Sequence, residues 1–423
     1  MSEATTTFHR QIVRVSPTRQ RILGVLFLVL ALIAWFFFSR SIVPDANTTF
    51  TLASGGLPAT VGPLVLPAQG TLYVLALVMA ILGGVQLARG FNQQANLALA
   101  IVIGLFVFAF LVWAAAGKSL NLAGLFNTTL SKAVPITLGA LSGILCERAG
   151  IINIAIEGMM LTAAMTSTLI ASLTDNLWFG LLIGVLTGGL MAMLLAVLSI
   201  RYKTNQIIAG TVINILATGL TSYISAKFLQ VYQELNTPGT FPAWPIPGLS
   251  SIPVLGPILF NNNLFVYGMF IFLIALHIGL FYTRWGLRMR AVGEHPKAAD
   301  TLGINVFRTR YFSVLLGGMM AGFAGAYFTL GSVGRFDEVM TAGRGFIGLA
   351  AMIFGNWMPF GSFGAGLLFG FADSLASRLA ILQIRIPSQF LLMAPYIATM
   401  IILAGVIGRS RPPASEGEVY EKE

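Results

Sequence analysis

The sequence predicts an all-α polytopic membrane protein with about 10–12 transmembrane helices, and three observations carry that prediction. Of the 423 residues, 56% are hydrophobic and 9% are charged, which leaves too little polar surface for a soluble domain. The apolar residues gather into runs of roughly 20, the helix length that crosses a hydrocarbon core. The basic residues concentrate in alternate loops, 17 of the 25 Lys and Arg falling on one side when the N-terminus is placed in the cytoplasm.

Taken in order, the runs are 22–38, 71–88, 97–116, 133–146, 154–173, 177–200, 205–228, 264–282, 311–331, 345–357, 361–377 and 389–407, twelve in all. The fourth, tenth and eleventh are short and rich in Gly, so a tilted, broken or re-entrant path is open for each. Arg10, Arg14, Arg19 and Arg21 precede the first run in the manner of a signal peptide, but it closes on Trp35, Phe36, Phe37 and Phe38. No small-residue cleavage site ends it, and an uncleaved span is expected. The segment 229–263 has no Lys or Arg and holds Pro238, Pro242, Pro245, Pro247, Pro253 and Pro257, which suits an ordered external loop able to dock a partner.

The formal charge of +10 is spread over short loops without interleaved aromatics, so it reflects topology and not a nucleic-acid surface. Cys146 is the single cysteine and His9, His277 and His295 are far apart, so neither a disulfide nor a metal site is expected. The sequence offers no catalytic cluster and no cofactor site. Gly117, Lys118 and Ser119 resemble the end of a P-loop, yet the first glycine position is Val112 and a membrane run leads into it.

The longest basic loop, 283–310, carries Arg284, Arg288, Arg290, Lys297, Arg308 and Arg310 against Glu294 and Asp300. Pro296 suits a first helical position and Gly303 a stop, so a short helix lying on the cytoplasmic face is expected. A repeat is also visible. GMMLTAAM from Gly158 aligns with GFIGLAAM from Gly345 at an offset of 187, and the same offset lays run 133–146 on the ninth run and run 205–228 on the last. An odd number of crossings separates the copies, which makes the repeat an inverted one, an arrangement characteristic of transporters.

Polar residues inside apolar runs are the candidate functional groups. Glu147 and Arg148 can pair at a membrane boundary, Asn153 follows, and Glu157 sits where a run begins. A carboxylate at a span centre costs about 3 kcal/mol on insertion scales, so Glu157 must face protein or a polar cavity. Two readings stand side by side: a structural partner for a backbone amide or for an arginine such as Arg148, or direct contact with a solute. Asn205, Gln206 and Asn214 in the seventh run, and Asn356 and Asp373 in its repeat-related region, also need hydrogen-bond partners away from water, either as interhelical glue or as a lining. Asn214 is favoured over Asn205 and Gln206, which lie near the cytoplasmic end. The motifs at Gly184–Gly188 and Gly366–Gly370 suit close helix packing.

The stretches LCERAGIINIAIEGMMLTAA (145–164), LRMRAVGEHPKAADTLGINVFRTR (287–310) and TAGRGFIGLAAMIFGNWMPFG (341–361) resemble the permease subunits of bacterial ABC importers of the branched-chain amino acid and ribose type, nearest to the nucleoside and simple-sugar permeases. The resemblance covers about residues 97–408. It implies a type II ABC importer-like permease core of ten spans, with two additional spans in 22–96, a cytoplasmic segment 1–21 and a cytoplasmic tail 409–423. The core would comprise repeat halves at about 133–228 and 311–408 and the coupling loop 283–310. It implies as partners an ATP-binding cassette ATPase, a second permease subunit and an extracytoplasmic substrate-binding lipoprotein, all at a bacterial inner membrane. By this likeness Gly293, Glu294, Ala298, Ala299 and Gly303 meet the ATPase; the pathway candidates, from the polar residues read above, are Asn153, Glu157, Asn214, Asn356 and Asp373. The competing class is an ion-coupled secondary transporter, also built on inverted repeats, using Glu157 or Asp373.

Overall fold

The structure is a computed structural model that describes residues 17–52, 62–382, 389–390, 392–393 and 411–422. The chain divides into two compact units, 1–122 with 381–384, and 123–380 with 385–423. Ten helices among the described residues are long and apolar enough to cross a membrane, and the protein is a multi-pass, all-α membrane protein.

In the first unit, α1 (Pro17–Leu32, continued by a wider turn Ile33–Phe38), α2 (Ala68–Ala88) and α3 (Ala95–Ala114) pack together. The α1–α2 approach runs over glycine, since a Cβ on Gly83 would lie 2.8 Å from Leu28 and one on Gly24 2.5 Å from Leu87. A small sheet caps the unit, with β1 (Asn47–Thr51) between β2 (Leu64–Pro67, antiparallel) and β3 (Ser119–Asn121, parallel). The sequence reading contains no strand here. The third span thus sits in the N-terminal unit with the first two.

The second unit is built around α4 (Leu122–Glu147), whose most apolar window is 89% buried. The fourth run was expected over 133–146 only, and the helix is longer by eleven residues at its start. The extension is polar but its hydroxyls bond back to the preceding turn: Thr128 to Gly124 O (2.7 Å), Thr129 to Leu125 O (2.8 Å) and Ser131 to Asn127 O (3.1 Å). Such back-bonding keeps polar residues inside a helix at low cost. After it come α5 (Ile156–Thr174), α6 (Leu177–Ala196), α7 (Gln206–Ile224) and α8 (Leu264–Tyr282). Asparagine caps open four of the unit's helices: Asn176 for α6, Asn205 for α7, Asn263 for α8 and Asn305 for the helix that starts at Val306.

The basic loop folds as two helices, α9 (Arg284–Glu294) and α10 (Pro296–Thr301), with Pro296 at the first position and Gly303 beyond the end at φ +79°. Then follow α11 (Val306–Ala326, continued to Val333), α12 (Arg344–Phe354) and α13 (Pro359–Ile381). The tenth run is therefore no crossing. Its 11-residue helix rises about 16 Å, half of what a bilayer needs. The eleventh run is a full 23-residue span. The twelfth, 389–407, lies almost wholly outside the described residues.

The repeat offset of 187 lays α4 on 309–334, within a few residues of the span Val306–Val333. Five crossings separate the two starts, so the copies run in opposite senses across the membrane. Helices α6 and α11 meet at bare backbone: a Cβ on Gly188 would sit 2.4 Å from Gly318 O, so no larger residue fits. The segment 229–263 is folded onto the unit, and Asn236 exchanges two hydrogen bonds with the Phe336 backbone (3.0 and 2.7 Å).

Candidate functional site

The start of α5 is held inside the membrane by a knot of polar contacts. Glu157 Oε1 accepts from Thr341 Oγ1 (2.6 Å) and Gly343 N (2.8 Å), and Oε2 accepts from Gly345 N (2.6 Å). These amides open α12, whose dipole adds to their attraction for a carboxylate. Gly345 is obligatory, because a Cβ there would lie 2.6 Å from Glu157 Cα. Asn214 ties the same turn to α7, accepting from Gly158 N (2.8 Å) and donating to Ile154 O (2.8 Å). Asn214 is eight residues beyond the start of α7, about 12 Å along the helix. Asn153 is fully buried below it, accepting from Ala155 N (3.1 Å) and donating to Cys146 Sγ (3.3 Å).

A second cluster lies toward the other end of α4. Asp373 of α13 pairs with Lys132 of α4 (3.0 Å) and Arg344 of α12 (2.8 Å), each side chain about a quarter exposed. Lys132 also donates to Ser377 Oγ (2.7 Å). Lys132 is fifteen residues from Glu147, about 22 Å along α4, so this cluster is well separated from the Glu147 end.

At that end the expected Glu147–Arg148 pair does not form, since neighbouring residues on a helix point about 100° apart. Both instead hold Trp357. Its indole donates to Glu147 Oε2 (2.6 Å), and Arg148 donates to its carbonyl through Nε (3.2 Å) and Nη2 (3.0 Å). Arg148 is thereby not the partner of Glu157 either. Burial lowers the pKa of Arg148, with the charge of Glu294 opposing. Asn356 stands at this turn with φ +56°, exposed and accepting from Arg411 N (2.9 Å).

Of the residues named for the ATPase in the basic loop 283–310, whose two helices α9 and α10 form an elbow, Gly293 is buried at the end of α4, where a Cβ would be 2.2 Å from Arg148 O. Ala299 is buried too, while Glu294, Ala298 and Gly303 are exposed. The segment 411–422 straps this face. Ser415 N donates to Gly293 O (2.9 Å), Ala414 N to Glu294 Oε2 (3.2 Å), Gly417 N to Gly150 O (3.1 Å), and Arg310 Nη1 to Glu418 O (3.0 Å). Tyr420 packs on Phe307 (5.3 Å), and Lys203 pairs with Glu421. Glu416 lies beside Glu147, and burial raises its pKa against the opposing influence of that neighbour.

Residues 125–407 match the family described as the permease component of the branched-chain amino acid transport system. The chain belongs to this family. A guanosine ABC transporter permease, NupQ of Bacillus subtilis, is 40% identical over 306 residues, 70% of this chain and 95% of its own length. The nucleoside permease NupC of Lactococcus lactis is 38% identical, covering 68% and 93%. The putative glucose permease TsgC13 of Haloferax volcanii is 32% identical, with the same coverage. No solved structure is a significant match.

Within this permease, the structure joins Asn153, Glu157 and Asn214 in one region and puts Asp373 in another. Lys132, Arg344 and Thr341 were not singled out in the sequence, although a signal existed. The repeat offset lays Glu157 on Arg344, so the copies carry opposite charges at equivalent positions. Trp357 and the strap gave no comparable signal.

Proposed function

We propose that this chain forms half of the translocation pathway of an ATP-binding cassette importer for a nucleoside or simple sugar in the bacterial inner membrane. The observation that carries the reading is the 40% identity spanning 95% of a guanosine permease. ATP is hydrolysed by a separate subunit docked at the elbow, where Glu294, Ala298 and Gly303 are exposed, while Gly293 and Ala299 seat the elbow on the membrane unit. A second permease, identical or different, completes the pathway, and an extracytoplasmic lipoprotein delivers the solute.

In this reading α4 is the transmitting rod. Its cytoplasmic end bears on the elbow through Arg148 and Gly293, and its outer half carries Lys132 on Asp373. Asp373, with Lys132 and Arg344, offers a polar lining whose hydrogen bonds can be exchanged for solute hydroxyls. Glu157, Asn153 and Asn214 hold the helix starts that must not move independently, and Asn356 anchors the cytoplasmic turn. Ion coupling is disfavoured because Glu157 has both oxygens occupied by fixed donors and Asp373 is already neutralised by two cations.

Uptake of labelled guanosine, ribose, glucose and leucine by the reconstituted complex tests the cargo. Accumulation of the nucleoside or a sugar is expected. Accumulation of leucine alone would refute the assignment.

A further inference from the structure

Beside the elbow lies a groove of about 940 Å³ between α9 and the start of α11. Its floor includes Trp285 and Phe312, whose rings meet edge to face at 6.4 Å. Trp285 lies against the last turns of α8, since a Cβ on Gly279 would be 3.4 Å from its ring, so the floor is at the level where the chain leaves the membrane. Arg288 and Arg308 line the groove, both exposed, and no acidic side chain does. Neither guanidinium has an ion pair among the described residues. The rim is apolar and uncovered, Leu287 being 61% and Leu302 81% exposed.

An aromatic floor at the membrane boundary, two unneutralised arginines one turn beyond it and exposed leucines beside them form an amphipathic site facing both lipid and water. Aromatic rings favour that boundary, and juxtamembrane arginines attract anionic headgroups of the cytoplasmic leaflet. We propose that this groove binds an anionic phospholipid, with its phosphodiester between Arg288 and Arg308 and its acyl chains against Trp285, Phe312 and Leu287. Of the three exposed residues offered to the ATPase, Glu294 and Ala298 do not line the groove and Gly303 does, so the ATPase is the competing occupant that the test distinguishes. Bound lipid would fix the tilt of α9 and so set the resting position of the elbow.

The full-length protein, exchanged into nanodiscs of equal phosphatidylglycerol and phosphatidylcholine, is extracted and its retained lipid measured by mass spectrometry. Wild type is expected to retain phosphatidylglycerol about tenfold over phosphatidylcholine. The double variant Arg288→Gln/Arg308→Gln should lose that preference, and Arg284→Gln, an exposed arginine outside the groove, should keep it. Excess inorganic phosphate should not displace the lipid. Equal retention of both lipids, an undiminished preference in the double variant, or an equal loss in Arg284→Gln would overturn the proposal. Displacement by phosphate would make the groove a free-anion site. Loss of the ATPase subunit from the double variant with lipid retention unchanged would assign it to the protein partner. Both outcomes also contradict lipid binding, and each leaves the uptake assay as an independent reading of transport.

Discussion

Two carboxylates inside the membrane unit are neutralised in different ways. Glu157 is enclosed and takes its three donors from backbone amides and a hydroxyl that belong to fixed helix starts. Asp373 is a quarter exposed and takes its donors from two long, flexible cations. Amide donors are set by the fold and cannot move without moving it, whereas Lys and Arg can swing from one acceptor to another. The contrast assigns scaffolding to the first site and exchange with solute to the second.

The sharpest way to break the contrast is to remove each acceptor in turn. Glu157→Ala strands two amides and a hydroxyl and should cost on the order of 3 kcal/mol, enough to abolish a stable, extractable protein. Size-exclusion profiles and Tm in detergent check it. Normal Tm with lost uptake would instead make Glu157 a solute ligand. Asp373→Asn should lower Tm by less, because the freed cations reach water, while uptake falls at least tenfold. The double variant Lys132→Met/Asp373→Asn should recover Tm and not uptake. Recovery of both would show the cluster to be structural.

Two smaller effects sharpen the link to the cytoplasmic face. Gly293→Ala drives a methyl into the Arg148 carbonyl and should cost about 2 kcal/mol, separating ATP hydrolysis from uptake in the reconstituted complex. Unchanged stoichiometry would count against α4 as the transmitting rod. The smallest effect is on the strap. The raised pKa of Glu416 means that its protonated form docks better than its anion. Its contribution is full below the free value of 4.5 and fades as pH rises through the higher docked value. Hydrogen exchange of residues 411–422 should accordingly quicken with pH beyond the intrinsic rate, and Glu416→Gln should flatten that dependence.

The same contrast marks what could be read from the sequence. Span positions were legible because apolar runs report burial in lipid directly, and the inverted repeat followed from the spacing of those runs. Glu157 was legible as a carboxylate needing a partner, but its partners were the Thr341 hydroxyl and two backbone amides, 184–188 residues away, and no side-chain pattern records an amide. The outer half of α4 was hidden because Asn127, Thr128, Ser131 and Lys132 look like a loop, and only their bonds within the helix and to α13 make them part of a span. The segment 411–422 has the composition of a solvated tail and docks largely through its main chain, so its role as a strap left no trace in residue type.

The central claim is that this permease supplies a path and no driving force. Its most direct test is solute accumulation in proteoliposomes holding the purified permease subunits under an imposed proton or sodium gradient, compared with vesicles that also contain the ATPase, binding lipoprotein and ATP. The account predicts accumulation in the second preparation alone. Concentrative uptake in the first, with no nucleotide-hydrolysing subunit present, would contradict it.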